Sequence, residues 1–268
     1  MARHSKDSPF YEKNIRILAG SAIFVEVALT AGGLWRDTDL DDFINDKNGY
    51  EKDNYSGLYR KMLQGTITEN HVCRRVQKTL NGGELKFWRD LPYWGLLRSN
   101  GTYGTHIDKT LKSIQSRVRH HIWSIPFDKG EHKYSSRAYT SLDSIKAISK
   151  YKNLDALLTL TAWARESREQ NILVPSYQCA QYTRKIFAYT VCHTPHLFIR
   201  WPLLVEQYKN QIWSYLDTDM SENWLEINLN NLIDEIHTEE KKARKEGIKL
   251  PPLQLVRRIN REYLIYTH

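Results

Sequence analysis

The sequence predicts an all-α protein, with at most a small hairpin. Apolar residues recur at helical spacing along nearly the whole chain, and no alternating run of six or more β-branched residues marks a strand. Gly and Pro fall mainly where those periodic stretches end, as helix punctuation requires. We divide the chain into an N-terminal helical unit, 1–100, and a larger helical body, 101–268.

The first element is the apolar stretch 17–35, ILAGSAIFVEVALTAGGLW, which follows Arg3, Lys6, Lys13 and Arg16. As a membrane span it would bury Glu26 near its centre, costing roughly 2.5–3.5 kcal/mol. Its Ala, Gly and Thr content lowers the transfer energy further. The expectation is a buried helix in a cytoplasmic protein that does not enter a membrane.

In 39–80, Asp39 caps a short helix through Phe43 and Ile44, and Gly49 ends it. A second helix begins near Asp53 or Asn54, turns Leu58 and Met62 inward and ends at Gly65. Thr68 caps a third, with Val72, Val76 and Leu80 at four-residue spacing. Residues 82–97 then gather Trp88, Leu91, Trp94, Leu96 and Leu97 around Pro92. Burial preference makes this cluster a hydrophobic joint; the alternative is a surface around Trp88 and Trp94 for a protein partner or a second copy.

Further on, Ile107, Leu111, Ile114, Val118 and Ile122 form one stripe of a helix over 104–123, capped by Thr105 and closed before Pro126. Leu142, Ile145, Ile148, Leu154, Leu157 and Leu158 mark a helix running toward Arg165. Cys179, Ile186, Phe187 and Val191 mark another, stopped before Pro195. Pro202 suits the first position of the next, with Leu204, Tyr208, Ile212 and Tyr215 inward. Leu225, Leu229, Leu232, Ile233 and Ile236 line a helix with the polar end EEKKARKE, terminated by Gly247. After Pro251 and Pro252, a final helix turns Leu253, Val256, Ile259 and Tyr263 to one face and Arg257, Arg258 and Arg261 elsewhere.

The net charge of +8 is unevenly distributed: residues 101–200 hold fifteen basic groups against seven acidic. Segment 36–51 is acidic, with six carboxylates to two cations, whereas 52–89 has eight cations to three carboxylates. Such adjacency means either faces that meet different surroundings or pairing within the molecule.

The run YSGLYRKMLQG with its terminal Gly65, the polar turn TITEN and the apolar helix ending at Leu80 resemble the lambda-repressor-like (Cro/C1-type) helix-turn-helix family. The resemblance spans about residues 39–80. It implies that the helix from about Asn54 to Leu63 is the recognition helix, presenting Asn54, Ser56, Arg60 and Lys61 to double-stranded DNA. Asn and Arg bridge base edges, and Lys neutralises phosphate. Arg74, Arg75 and Lys78 become backbone contacts, and Lys109 and Lys112 offer a second basic face. The expected function is that of a DNA-binding protein, a transcriptional regulator or mobile-element accessory factor.

Other chemistries find less in the sequence. Three cysteines do not make a disulfide scaffold. Cys192, His193 and His196 lack the paired-cysteine spacing of a zinc site, and no cofactor motif is present, so no metal or cofactor is expected. His120 and His121 suit a helix C-terminus. No nucleophile elbow, phosphate loop or metalloprotease pair occurs. The alternatives to DNA binding are a helical interaction adaptor and a nuclease or toxin assembling distant carboxylates such as Glu166, Glu169 and Asp234.

Overall fold

The apolar stretch near the N-terminus forms α1 (Lys13–Thr30), and this helix is buried on nearly all sides. A helix apolar around its whole circumference belongs at the centre of a bundle. The computed structural model describes residues 12–49, 57–66, 69–99, 103–124, 136–137, 140–216 and 224–261. Packed against α1 are α3 (Leu58–Leu63), α5 (Leu85–Asp90) and α12 (Pro195–Phe198), so it joins early and late parts of the chain. No helix among the described residues is long and apolar enough to cross a membrane.

Helix α1 stops at Thr30 rather than reaching Trp35. Gly32 and Gly33 take positive φ, and the Gly33 N–H donates to the Ala28 carbonyl, which closes the last turn. Glu26 is accommodated by partners. Its Oε1 accepts from the Glu84 N–H at 2.7 Å, and its Oε2 lies 2.7 Å from His196 Nε2, whose ring stacks on Trp88. Burial pushes this carboxyl upward, but its hydrogen bonds to His196 and Glu84 hold it below the usual value of 4.5.

Helices α2 (Asp37–Asn48), α3 and α4 (Asn70–Leu80) follow the predicted order. Arg36 is the N-cap of α2, so Asp39 lies within the first turn, and Gly49 ends the helix at φ 70. Helix α4 starts after Glu69; Thr68 lies outside the described residues. Within α5 and α6 (Tyr93–Leu96), Trp88 and Trp94 are 6% and 1% exposed. This is the hydrophobic joint. The expected partner or homodimer surface around Trp88 and Trp94 is corrected, because both rings lie inside the protein.

The stripe from Ile107 to Ile122 is buried throughout, but not as one helix. It divides into α7 (Gly104–Ser113) and α8 (Arg119–Ile122), with Ile114 extended between them. There the Ser116 N–H donates to the Asp155 carboxylate at 3.1 Å, a tertiary bond in place of a helical one. Thr105 is not the cap: the helix begins at Gly104, and the preceding Tyr103 N–H donates to Glu169. Strands β1 (Trp123–Ser124) and β2 (Ser136–Arg137) pair antiparallel as a two-residue ladder.

The stretch predicted as one helix from Leu142 likewise becomes α9 (Leu142–Ser149) and α10 (Leu154–Glu169). Ser141 and Asn153 cap them by accepting from Ser144 and Ala156 N–H. Helix α11 (Leu173–Cys192) packs along α10 and carries α9 and α14 (Trp224–Lys245) on its flanks. Helix α13 (Trp201–Gln211) has Pro202 in its first turn, as expected, and α15 (Leu253–Ile259) ends the described helices. Inside the body, Tyr93 Oη donates to Tyr208 Oη, which lies 2.7 Å from Thr161 Oγ1. Arg165 Nε donates to the Leu96 carbonyl; burial lowers this guanidinium to about 10 despite the adjoining Tyr103 ring.

Candidate functional site

Local chain chemistry makes α3 short. Gly57, at φ 60, is its N-cap, and a helix of L-residues does not run through a left-handed position. The expected start near Asn54 is therefore corrected to Leu58; Asn54 and Ser56 lie outside the described residues. At the other end Gly65 takes φ 89. The Gly65 N–H donates to Met62 O and the Thr66 N–H to Lys61 O, forming a Schellman closure. Six residues span about 9 Å. Tyr59, Met62 and Leu63 are buried against α1 and α2, while Arg60 and Lys61 face outward.

Arg60 stands at a cleft of about 860 Å³. The cleft lies among the starts of α1, α2 and α13, the end of α3 and the end of α15. Among the described residues its cations are Lys13, Arg60, Arg200, Arg258 and Arg261, and its carboxylate is Asp37. Ile17, Leu63 and Ile259 supply apolar wall, with Thr38 and Gln64 beside them.

Arg200 is the buried member of this set. Its Nη2 donates to Leu63 O at 2.6 Å, its Nη1 to Ile259 O and its Nε to Ser21 Oγ at 3.2 Å. One guanidinium thus fastens the ends of α3 and α15 to α1. Lys13, Arg60, Arg258 and Arg261 are exposed. An excess of cations in a concave site with apolar walls attracts a compact polyanion, because low-dielectric surroundings focus the field.

The remaining expected contacts stand elsewhere. Arg74, Arg75 and Lys78 are exposed on α4, whose Cys73, Val76 and Leu80 face the core; α4 packs on α2 and α5. Lys109 and Lys112 are exposed on α7, which packs on α10 and α6. Beside them Arg137 bridges Asp108 and Glu166, tying β2 to α7 and α10. Among the expected residues that the structure describes, then, the cleft takes only Arg60. Lys13, Arg200, Arg258, Arg261 and Asp37 join it from distant parts of the chain. The outward spacing of Arg258 and Arg261 on the last helix was a signal of exposure, but nothing local marked their partners.

His193 stacks on Tyr189, with its Nε2 3.2 Å from Glu246. The Cys192 thiol donates to Ile236 O, and burial pushes it up to about 12 with help from Glu240 and Glu239. A thiol so held is a poor source of thiolate for a metal. Among the described residues no group of three or more His, Cys, Asp or Glu side chains is placed to hold a metal ion. Of the distant carboxylates considered for a nuclease, Glu166 pairs with Arg137, Glu169 accepts from Tyr103, and Asp234 stands on α14.

No protein-family model, curated protein or solved structure matches this chain.

Proposed function

We propose that the protein binds nucleic acid through its phosphates, with double-stranded DNA as the target. The observation that carries this reading is the cleft, where among the described residues five cations accompany one carboxylate and where Arg60, singled out by the helix-turn-helix resemblance, lies at the wall. Binding of this kind releases counterions, so log K falls with log salt at a slope of about −0.9 per phosphate neutralised.

The test is fluorescence anisotropy of a labelled duplex between about 50 and 200 mM salt. Arg60→Ala with Lys61→Ala weakens binding at low salt and makes the salt slope shallower by about one for each lost phosphate contact. Equal affinity and equal slope in wild type and double variant overturn the proposal.

A second reading, a helical interaction protein, is favoured by one observation. Ile172, Leu173 and Val174 are 47%, 77% and 66% exposed at the start of α11. Three adjacent aliphatic side chains in water suit contact with a second copy of the chain. Sedimentation of wild type against Leu173→Asp tests it: a dimer lost in the variant supports this reading, and a monomer in both removes it.

A further inference from the structure

We infer that the cleft seats a terminal phosphate, a phosphomonoester carrying two negative charges, on a strand end or a free nucleotide. This rests on the phosphate-binding reading above and adds which phosphate is bound.

The first ground is shape. An internal phosphodiester continues into sugar on both sides, so a duplex backbone is best met by a long open surface. Here the walls come from the starts of α1, α2 and α13 and the ends of α3 and α15, and they form a concave, half-open cleft of about 860 Å³. That volume falls within the roughly 300–1,000 Å³ of small-molecule sites.

The second ground is charge. Among the described residues Lys13, Arg60, Arg258 and Arg261 outnumber Asp37 and leave their head groups to a ligand, while Arg200, whose guanidinium is bonded to Leu63, Ile259 and Ser21, adds its charge from beneath. A single phosphodiester carries one negative charge and leaves most of this uncompensated. A phosphomonoester with its neighbouring phosphate, or a nucleotide polyphosphate, brings several charges to one place. Arginine forks suit the non-bridging oxygens of such a group through paired hydrogen bonds.

The third ground is the lining opposite the cations. Ile17, Leu63 and Ile259 give the cleft an apolar wall, which a purely ionic site does not need and a sugar or base face does. The start of α2 borders the same space through Asp37 and Thr38, and its N-cap residue Arg36 makes no side-chain capping bond among the described residues. Its dipole adds to the positive field.

The experiment compares short duplexes carrying 5′ or 3′ phosphates with the same duplexes bearing hydroxyl ends and with covalently closed circular DNA. Adenosine triphosphate serves as the free-nucleotide probe. Phosphorylated ends bind about tenfold or more tightly than hydroxyl ends, the discrimination of one added charge-assisted contact. Arg258→Ala with Arg261→Ala brings that ratio to about one while the melting temperature holds, since both side chains are exposed. Asp37→Asn raises the ratio, which a fold defect does not do. Displacement by adenosine triphosphate identifies a nucleotide as the source; displacement by phosphorylated ends alone identifies a strand end. Equal binding of phosphorylated, hydroxyl and circular DNA overturns the terminal-phosphate inference and leaves backbone binding standing. Binding of adenosine triphosphate without binding of any DNA overturns the DNA proposal and keeps the terminal-phosphate site. No binding of any probe overturns both.

Discussion

Replacing Gly20 with Ala tests the packing that sets Arg60 at the cleft. Gly20 lies inside α1, where Ala is intrinsically favoured over Gly by about 1 kcal/mol in a helix. Propensity alone therefore predicts a more stable protein. The structure predicts the opposite sign, because the added Cβ would lie 2.2 Å from the Met62 carbonyl oxygen and 3.1 Å from its carbonyl carbon. Both atoms are backbone, and that carbonyl also accepts from the Gly65 N–H in the closure of α3. No side-chain rotation relieves the clash, so α3 must move away from α1. Overpacking costs about 1–3 kcal/mol, and a clash with backbone that no rotamer relieves belongs at the upper end, about 2–3 kcal/mol. After the gain in propensity we expect a net loss of about 1–2 kcal/mol, which is roughly 2–8 °C in melting temperature for a chain of this size. Gly104→Ala is the control: it lies in the first turn of α7 with nothing within 4 Å of an added Cβ, and it should be neutral or stabilising. Differential scanning calorimetry of wild type and both variants decides the matter. A Gly20→Ala protein as stable as wild type, or more so, would show that α3 does not rest on α1 at this point.

Three other outcomes follow from the same structure. Asp37→Asn removes the carboxylate of the cleft and should tighten duplex binding severalfold at low salt, an effect that fades as salt screens the site; anisotropy titrations at two ionic strengths check it. Lys109→Ala with Lys112→Ala, on the separately packed α7, should leave duplex affinity within about twofold of wild type if the cleft carries the binding; a loss matching that of the Arg60→Ala and Lys61→Ala pair would move the site to α7. Glu26→Gln should destabilise by about 1–3 kcal/mol at neutral pH, since it removes a carboxylate accepting two hydrogen bonds. The folded protein holds Glu26 below 4.5, so its contribution is present above that value and is lost as pH falls through the lower folded value. Urea titrations of wild type and variant should therefore converge in acid, and a gap that widens in acid would contradict the assignment.

Much of the helical architecture was legible in local patterns. The stripe from Ile107 to Ile122 correctly named five buried side chains, and Gly49, Gly65 and Gly247 each take the positive φ expected of helix-ending glycines. The Trp88–Trp94 cluster read as a joint because large aromatic rings beside a proline are costly to leave in water, and both rings are inside. Periodicity reports which side chains are covered, but it does not say whether the backbone beneath them stays helical. At Ile114 it does not, because the Asp155 carboxylate, far along the chain, takes the Ser116 N–H. Local spacing likewise started α3 too early, since Gly57 could be read either as a helix residue or as a boundary.

The sequence by itself determined that this chain is helical, which faces of its helices are apolar, where many of them end and that it carries surplus positive charge. These follow from short-range sterics, turn chemistry and transfer of apolar surface, all of which act between residues close in the chain. Only the tertiary structure decided where the charge converges. Lys13, Arg60, Arg200 and Arg258 share one cleft because α1 lies at the centre of the bundle and the Arg200 guanidinium binds carbonyls at the ends of α3 and α15. Charges separated by such lengths of chain meet only after the core has packed, and no spacing rule reaches across that distance.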